Sequence, residues 1–78
     1  MKFTATPHRR YRAQIRLGVF EQVVSNDGLR VRFEAVGLRN VTVTGSGRER
    51  TAVGDWLGDE AVVDLPSQIA AVFELGPC

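Results

Sequence analysis

One histidine, three serines, a short run of acids and a one-sided set of arginines are the residues of this 78-residue chain whose types could do chemistry. Nucleophilic catalysis needs a base held rigidly against its nucleophile. The sole imidazole, His8, falls in a stretch that reads as a lead-in to the first strand. Ser25, Ser46 and Ser67 occupy cap or turn positions, which serine favours for its own hydrogen bonding. No triad or dyad is therefore expected, and the chain is read as non-enzymatic.

The acids Asp55, Asp59, Glu60 and Asp64 lie close together in sequence. Hard cations take clustered carboxylates, and paired carboxylates in a cleft can exchange protons. The spacing is not that of an EF-hand, so neither metal nor cofactor is expected. These acids read as a hairpin surface that docks a basic partner or the chain's own arginines. Gly45-Ser46-Gly47-Arg48-Glu49-Arg50 could cradle a phosphate through freed backbone N–H groups. It lacks P-loop spacing and joins two strands rather than a strand and a helix. It reads as a hairpin turn whose arginines can reach a nucleic-acid backbone.

The net charge of +1 conceals a division. Residues 1–50 hold all ten basic side chains and four acids, net +6; residues 51–78 hold five acids and no base. Such asymmetry implies an anionic partner for one face, or pairing of the two halves inside the fold.

Residues 9–19 set the arginines in order. Tyr11, Ala13, Ile15, Leu17 and Val19 alternate with Arg10, Arg12, Gln14 and Arg16, the period of a half-buried strand. The apolar set is expected to face a helix and the arginines to line an open sheet face as a ridge. Arg48, Arg50 and Trp56 share a parity on a later strand and are expected to join that face, with Trp56 as a stacking platform. The anion-binding set is thus Arg9, Arg10, Arg12, Arg16, Arg48, Arg50 and Trp56; the set for a basic partner is Asp55, Asp59, Glu60 and Asp64.

Residues 25–37 admit two readings. As a helix, Ser25 or Asn26 caps the start, Asp27 complements the dipole, and Leu29, Phe33 and Val36 share a face. Gly37-Leu38 then supplies the stop. As a hairpin, Asn26-Asp27-Gly28 turns into the alternating strand Leu29–Ala35. The Gly37-Leu38 stop favours the helix. Residues 41–45 and 49–56 read as a hairpin, 61–65 as a short strand or loop, Pro66–Ile69 as a helical turn and 71–75 as a last strand.

The expected fold is α+β: a small antiparallel sheet with one main helix on one face, ferredoxin-like in order. An all-β small barrel is the alternative. Residues 1–8 are an extended or frayed lead-in, and 9–76 are one domain. Hydrophobic residues make up 44% and charged residues 24%, which suits a folded globular chain and argues against disorder. One cysteine, Cys78, precludes an internal disulfide. No apolar run approaches membrane-spanning or signal-peptide length, so a cytoplasmic protein without membrane contact is expected. The function these features favour is a small adaptor, inhibitor or assembly module; chains of this size are common in phages and mobile elements, so a phage-like origin is an expectation from size and not from these residues. Such a module would bind a protein through its charged faces and could act as a homodimer. The alternative is a nucleic-acid binder using the arginine ridge and the 45–50 hairpin.

Overall fold

A computed structural model describes all of residues 1–78. The elements run β1 (Lys2–Ala5), β2 (Arg9–Arg16), α1 (Asn26–Val36), β3 (Arg39–Ser46), β4 (Glu49–Trp56), β5 (Ala61–Asp64) and β6 (Ile69–Pro77). The chain is mostly strand with one helix, and every strand pair is antiparallel. This arrangement is compatible with α+β. Four strands form a sheet in the order β3-β4-β2-β6, and β1 pairs with β5 in a separate two-stranded ribbon.

The hairpin reading of residues 25–37 fails because both ends of the helix are chemically closed. Ser25 is extended and its hydroxyl accepts from the Gly28 N–H at 3.0 Å. At the far end Gly37 N–H reaches the Glu34 carbonyl and Leu38 N–H the Phe33 carbonyl, the Schellman pairing. Gly37 has φ +126° there, a value that suits glycine. Arg39 adds two donations from its guanidinium, to the carbonyls of Glu34 and Leu38. Residues 18–24, ahead of the helix, form hydrogen-bonded turns, with Glu21 N–H donating to Gly18 O and Val24 N–H to Glu21 O.

One apolar cluster serves both layers. Leu29 and Phe33 of α1, Ala5 of β1, Val63 of β5 and Tyr11, Ala13 and Ile15 of β2 all bury into it. The ribbon and the helix therefore cover the same sheet face. Phe3 meets Tyr11 edge-on with ring centroids 5.3 Å apart, and the Tyr11 hydroxyl accepts from the Thr6 N–H. Residues 1–8 are accordingly extended but not frayed, and they belong to the packed domain rather than leading into it. Lys2–Ala5 is a paired strand, Ala5 is fully buried, and the backbone N–H of His8 donates to Trp56 O. The alternation Lys2, Phe3, Thr4, Ala5 covers only four residues, the shortest run that counts as a strand signal, and Pro7 follows it closely.

Gly37 also touches Trp56. A Cβ on Gly37 would lie 2.9 Å from the Trp56 ring, closer than real contacts allow. Gly37→Ala therefore combines a strained φ with a clash against a buried indole. We expect it to cost about 2 kcal/mol and lower Tm by roughly 10 °C, measured by thermal melting followed by circular dichroism. An unchanged Tm would show that the helix end does not rest on Trp56.

Candidate functional site

Antiparallel register decides which side chains share a face, since residues directly opposite one another project the same way. Tyr11 faces Gly54, Ala13 faces Ala52 and Ile15 faces Arg50. That is the covered face, as the β2 alternation implied. Arg50 and Trp56 belong to it, which corrects their expected place on the open ridge. Trp56 is buried and its Nε1 donates to the Asp59 carbonyl at 2.8 Å, so it is a core residue and not a stacking platform. The sequence held the signal: Ala52, Gly54 and Trp56 give this parity of β4 an apolar character that Arg50 alone contradicts.

Arg50 is buried, with 6% of its surface exposed, and meets no carboxylate. Its guanidinium donates to Val24 O at 2.9 Å, Gln22 O at 2.9 Å, Asn26 Oδ1 at 2.7 Å and Gly47 O at 3.1 Å. These oxygens satisfy the cation by dipoles rather than by opposite charge. They also tether residues 22–26, the entry to α1, onto the β3–β4 hairpin. Asn26 completes the tether by donating to Gly45 O. Arg48 is exposed and its Nε donates to Leu17 O, so it secures the end of β2.

The open face carries Arg10, Arg12, Gln14 and Arg16 of β2 beside Asp55, Val53, Thr51 and Glu49 of β4. The ridge is real but largely compensated. Arg10 Nε donates to Asp55 Oδ1 at 2.7 Å, and Arg16 lies 3.5 Å from Glu49, an exposed pair worth little. Asp55 also accepts from the Asn40 amide at 3.1 Å. The Arg10 hydrogen bond, helped by Asn40, holds the Asp55 carboxyl below the usual carboxylate range against the opposing effect of burial. Arg12 is different. Its guanidinium lies over the Phe73 ring, 5.2 Å from the centroid, and its buried Nε has no partner.

The acids do not converge as a cluster. Asp55 lies on the open face, Asp59 and Glu60 in the exposed loop after β4, and Asp64 at the end of β5 near the Met1 ammonium. No group of three or more His, Cys, Asp or Glu side chains comes together as a metal could require. Arg9 stands at the sheet end opposite both Trp56 and Pro77.

The feature not anticipated from the sequence lies on the helix side. An open cavity of about 290 Å³ runs between α1, residues 17–24 and the 65–69 connection. Ten of its fourteen lining residues are hydrophobic, among them Leu17, Leu29, Phe33, Leu65 and Ile69. Phe20 is 94% exposed and Val23 88% exposed at its mouth. Glu21, Arg32 and Gln68 supply its polar rim. Glu21 accepts from the Gly18 N–H at 2.8 Å and from Gln68 Nε2 at 2.7 Å, which together hold its carboxyl below the usual range. The consecutive apolar residues Val19-Phe20 and Val23-Val24 were the available signal.

No protein-family model, curated protein or solved structure matches this chain. No helix is long and apolar enough to cross a membrane.

Two outcomes follow from these contacts. Arg50→Met should cost about 3 kcal/mol in urea denaturation, because four charged hydrogen bonds are lost together and the segment before α1 loses its anchor to the hairpin. It should also speed amide exchange at Val24 and Leu29 beyond the global loss of stability. Asp55→Asn should remove a contribution that is fully present above the ordinary carboxylate pKa and fades as pH falls through the depressed folded value. The stability difference between the native chain and Asp55→Asn is thus greatest near neutrality and shrinks in acid; a constant difference would disprove the Arg10–Asp55 linkage.

Proposed function

We propose that this chain is a small non-enzymatic module that binds a protein, and that its docking surface is the apolar groove rather than either charged face. The single observation that carries the reading is the placement of Phe20 and Val23. Both are almost fully exposed on a tethered segment at the mouth of an apolar cavity. Leaving a phenylalanine in water forgoes roughly 1.5–3 kcal/mol of burial. A segment free to rearrange would recover it, but Arg50 and Glu21 fix this one in place. Apolar surface held outward beside a concave, polar-rimmed cavity is the form of an interaction site.

The fold reading that accompanies this is ferredoxin-like. β2 and β3 are joined through α1 with β4 inserted between them, which is the split β-α-β unit. β4 and β6 likewise flank β2, with β5 where a second helix would stand. The groove opens between α1 and the 65–69 connection that follows β5. Fold alone assigns no function.

A second reading has one observation in its favour. Arg12 stacked on Phe73, on a sheet face that nothing covers, pairs a cation with an aromatic ring as single-stranded nucleic-acid sites do. The ion pairs at Arg10 and Arg16 weigh against it.

Photo-crosslinking separates the two. A benzophenone side chain at position 20 or 23 should give protein adducts in the cells that make this chain. The same group at Val31, on the opposite flank of α1, or at Arg12 should give none. Nucleic-acid adducts at position 12 with nothing at 20 or 23 would reverse the order of the readings.

A further inference from the structure

Resting on the reading that the groove docks a protein, we infer that its occupant is a second copy of this chain. A two-fold axis would seat Phe20 of each copy in the groove of the other and set Arg32 of each against Glu21 of the other. Three observations lead there. First, knob and hole lie on one patch: the exposed Phe20 ring adjoins the cavity of about 290 Å³. A two-fold interface uses the same surface on both subunits, so that surface must be complementary to itself.

Second, the rim carries opposite charges. Glu21 and Arg32 both line the groove. A rim of one sign would repel its own copy, whereas this rim offers each copy an attractive partner. Third, the two charges are available in different ways. Arg30, two residues before Arg32, is saturated by Asp27 and Glu34. Arg32 forms no ion pair within the chain, although the nearby Glu21 carboxylate is exposed. Glu21 is oriented by Gly18 and Gln68 yet keeps acceptor capacity toward solvent. A pre-oriented carboxylate and a guanidinium that attracts it through space without contacting it, flanking an exposed apolar knob, form a self-complementary set.

The test is the mass of the purified full chain by light scattering and sedimentation at high micromolar concentration. The native chain is expected at twice its 8.6 kDa. Phe20→Ser should run as a monomer that still melts cooperatively, because Phe20 lies outside the core, at a Tm lowered only by the stabilisation that association adds. Glu21→Lys and Arg32→Glu should each weaken association by about tenfold or more, since each sets like charges together. An equimolar mixture of the two variants should regain the dimer, because every cross-interface pair then joins opposite signs. If Glu21→Lys disturbs the 18–21 turn and melts early, Phe20→Ser and Arg32→Glu still decide the matter. A native chain that stays monomeric, or a dimer indifferent to both of those changes, overturns the inference. A monomer that still gives adducts with a different protein at position 20 removes the second copy and keeps the groove. A chain with neither dimer nor adduct removes both readings.

Discussion

The structure hangs on a buried cation without an anion. Arg50 sits opposite Ile15 on the covered face of the sheet, where an unpaired charge would ordinarily be excluded. It is tolerated because its fork of N–H donors is met by oxygens from three directions: the hairpin turn, the segment before the helix and the helix's first residue. Three of those oxygens are carbonyls of irregular backbone and the fourth is the Asn26 side-chain amide, so each side supplies what the other needs. A lysine could not span the same set, having a point charge in place of a planar fork. The consequence reaches well beyond the contact. The direction of the chain between β2 and α1 is set by it, and with that the outward display of Phe20 and Val23 and the shape of the groove.

Much of this architecture can be read from residue order. β2 declares itself through uninterrupted alternation, and α1 through a cap, a dipole-matched acid and a glycine stop. The hairpin between β3 and β4 follows from β-branched residues on either side of Gly45 and Gly47. What escapes such reading depends on partners distant in sequence. Nothing near Lys2–Ala5 says that β5 will pair with it, because Ala61–Asp64 lies some sixty residues on and is equally short. Arg50 misleads for a related reason. Its charge suggests solvent, and only the register against Ile15 turns it inward. The groove is harder still, since a cavity is a property of three segments meeting and leaves only a faint trace in each.

The division of charge takes on a different meaning once registers are known. The two halves meet at one cross-strand pair, Arg10 with Asp55. The other compensation lies inside the positive half, where Arg16 is set against Glu49 and Arg30 is held by Asp27 and Glu34. Compensation of this sort fixes strand pairing and helix flank more than it advertises to partners. Arg12 and Arg32 stand apart from it on opposite layers, the first on an aromatic ring and the second at the mouth of the groove. Chemistry directed outward is concentrated there.

The position of β2 has a bearing on how the chain reaches this state. As an inner strand it is bordered by β4 and β6, so its two ladders close only after segments about forty and sixty residues further along have arrived. Local contacts cannot complete the sheet, and topologies dominated by distant pairing fold slowly. During that interval β2 is an unpaired strand with apolar residues at every second position, the kind of segment that templates aggregation. Arg10, Arg12 and Arg16 occupy the intervening positions. Before they form any ridge, their mutual repulsion between copies discourages premature strand pairing, as charged gatekeepers do in other sequences. The arginines of the first long strand thus guard the unfinished protein as well as decorating the finished one.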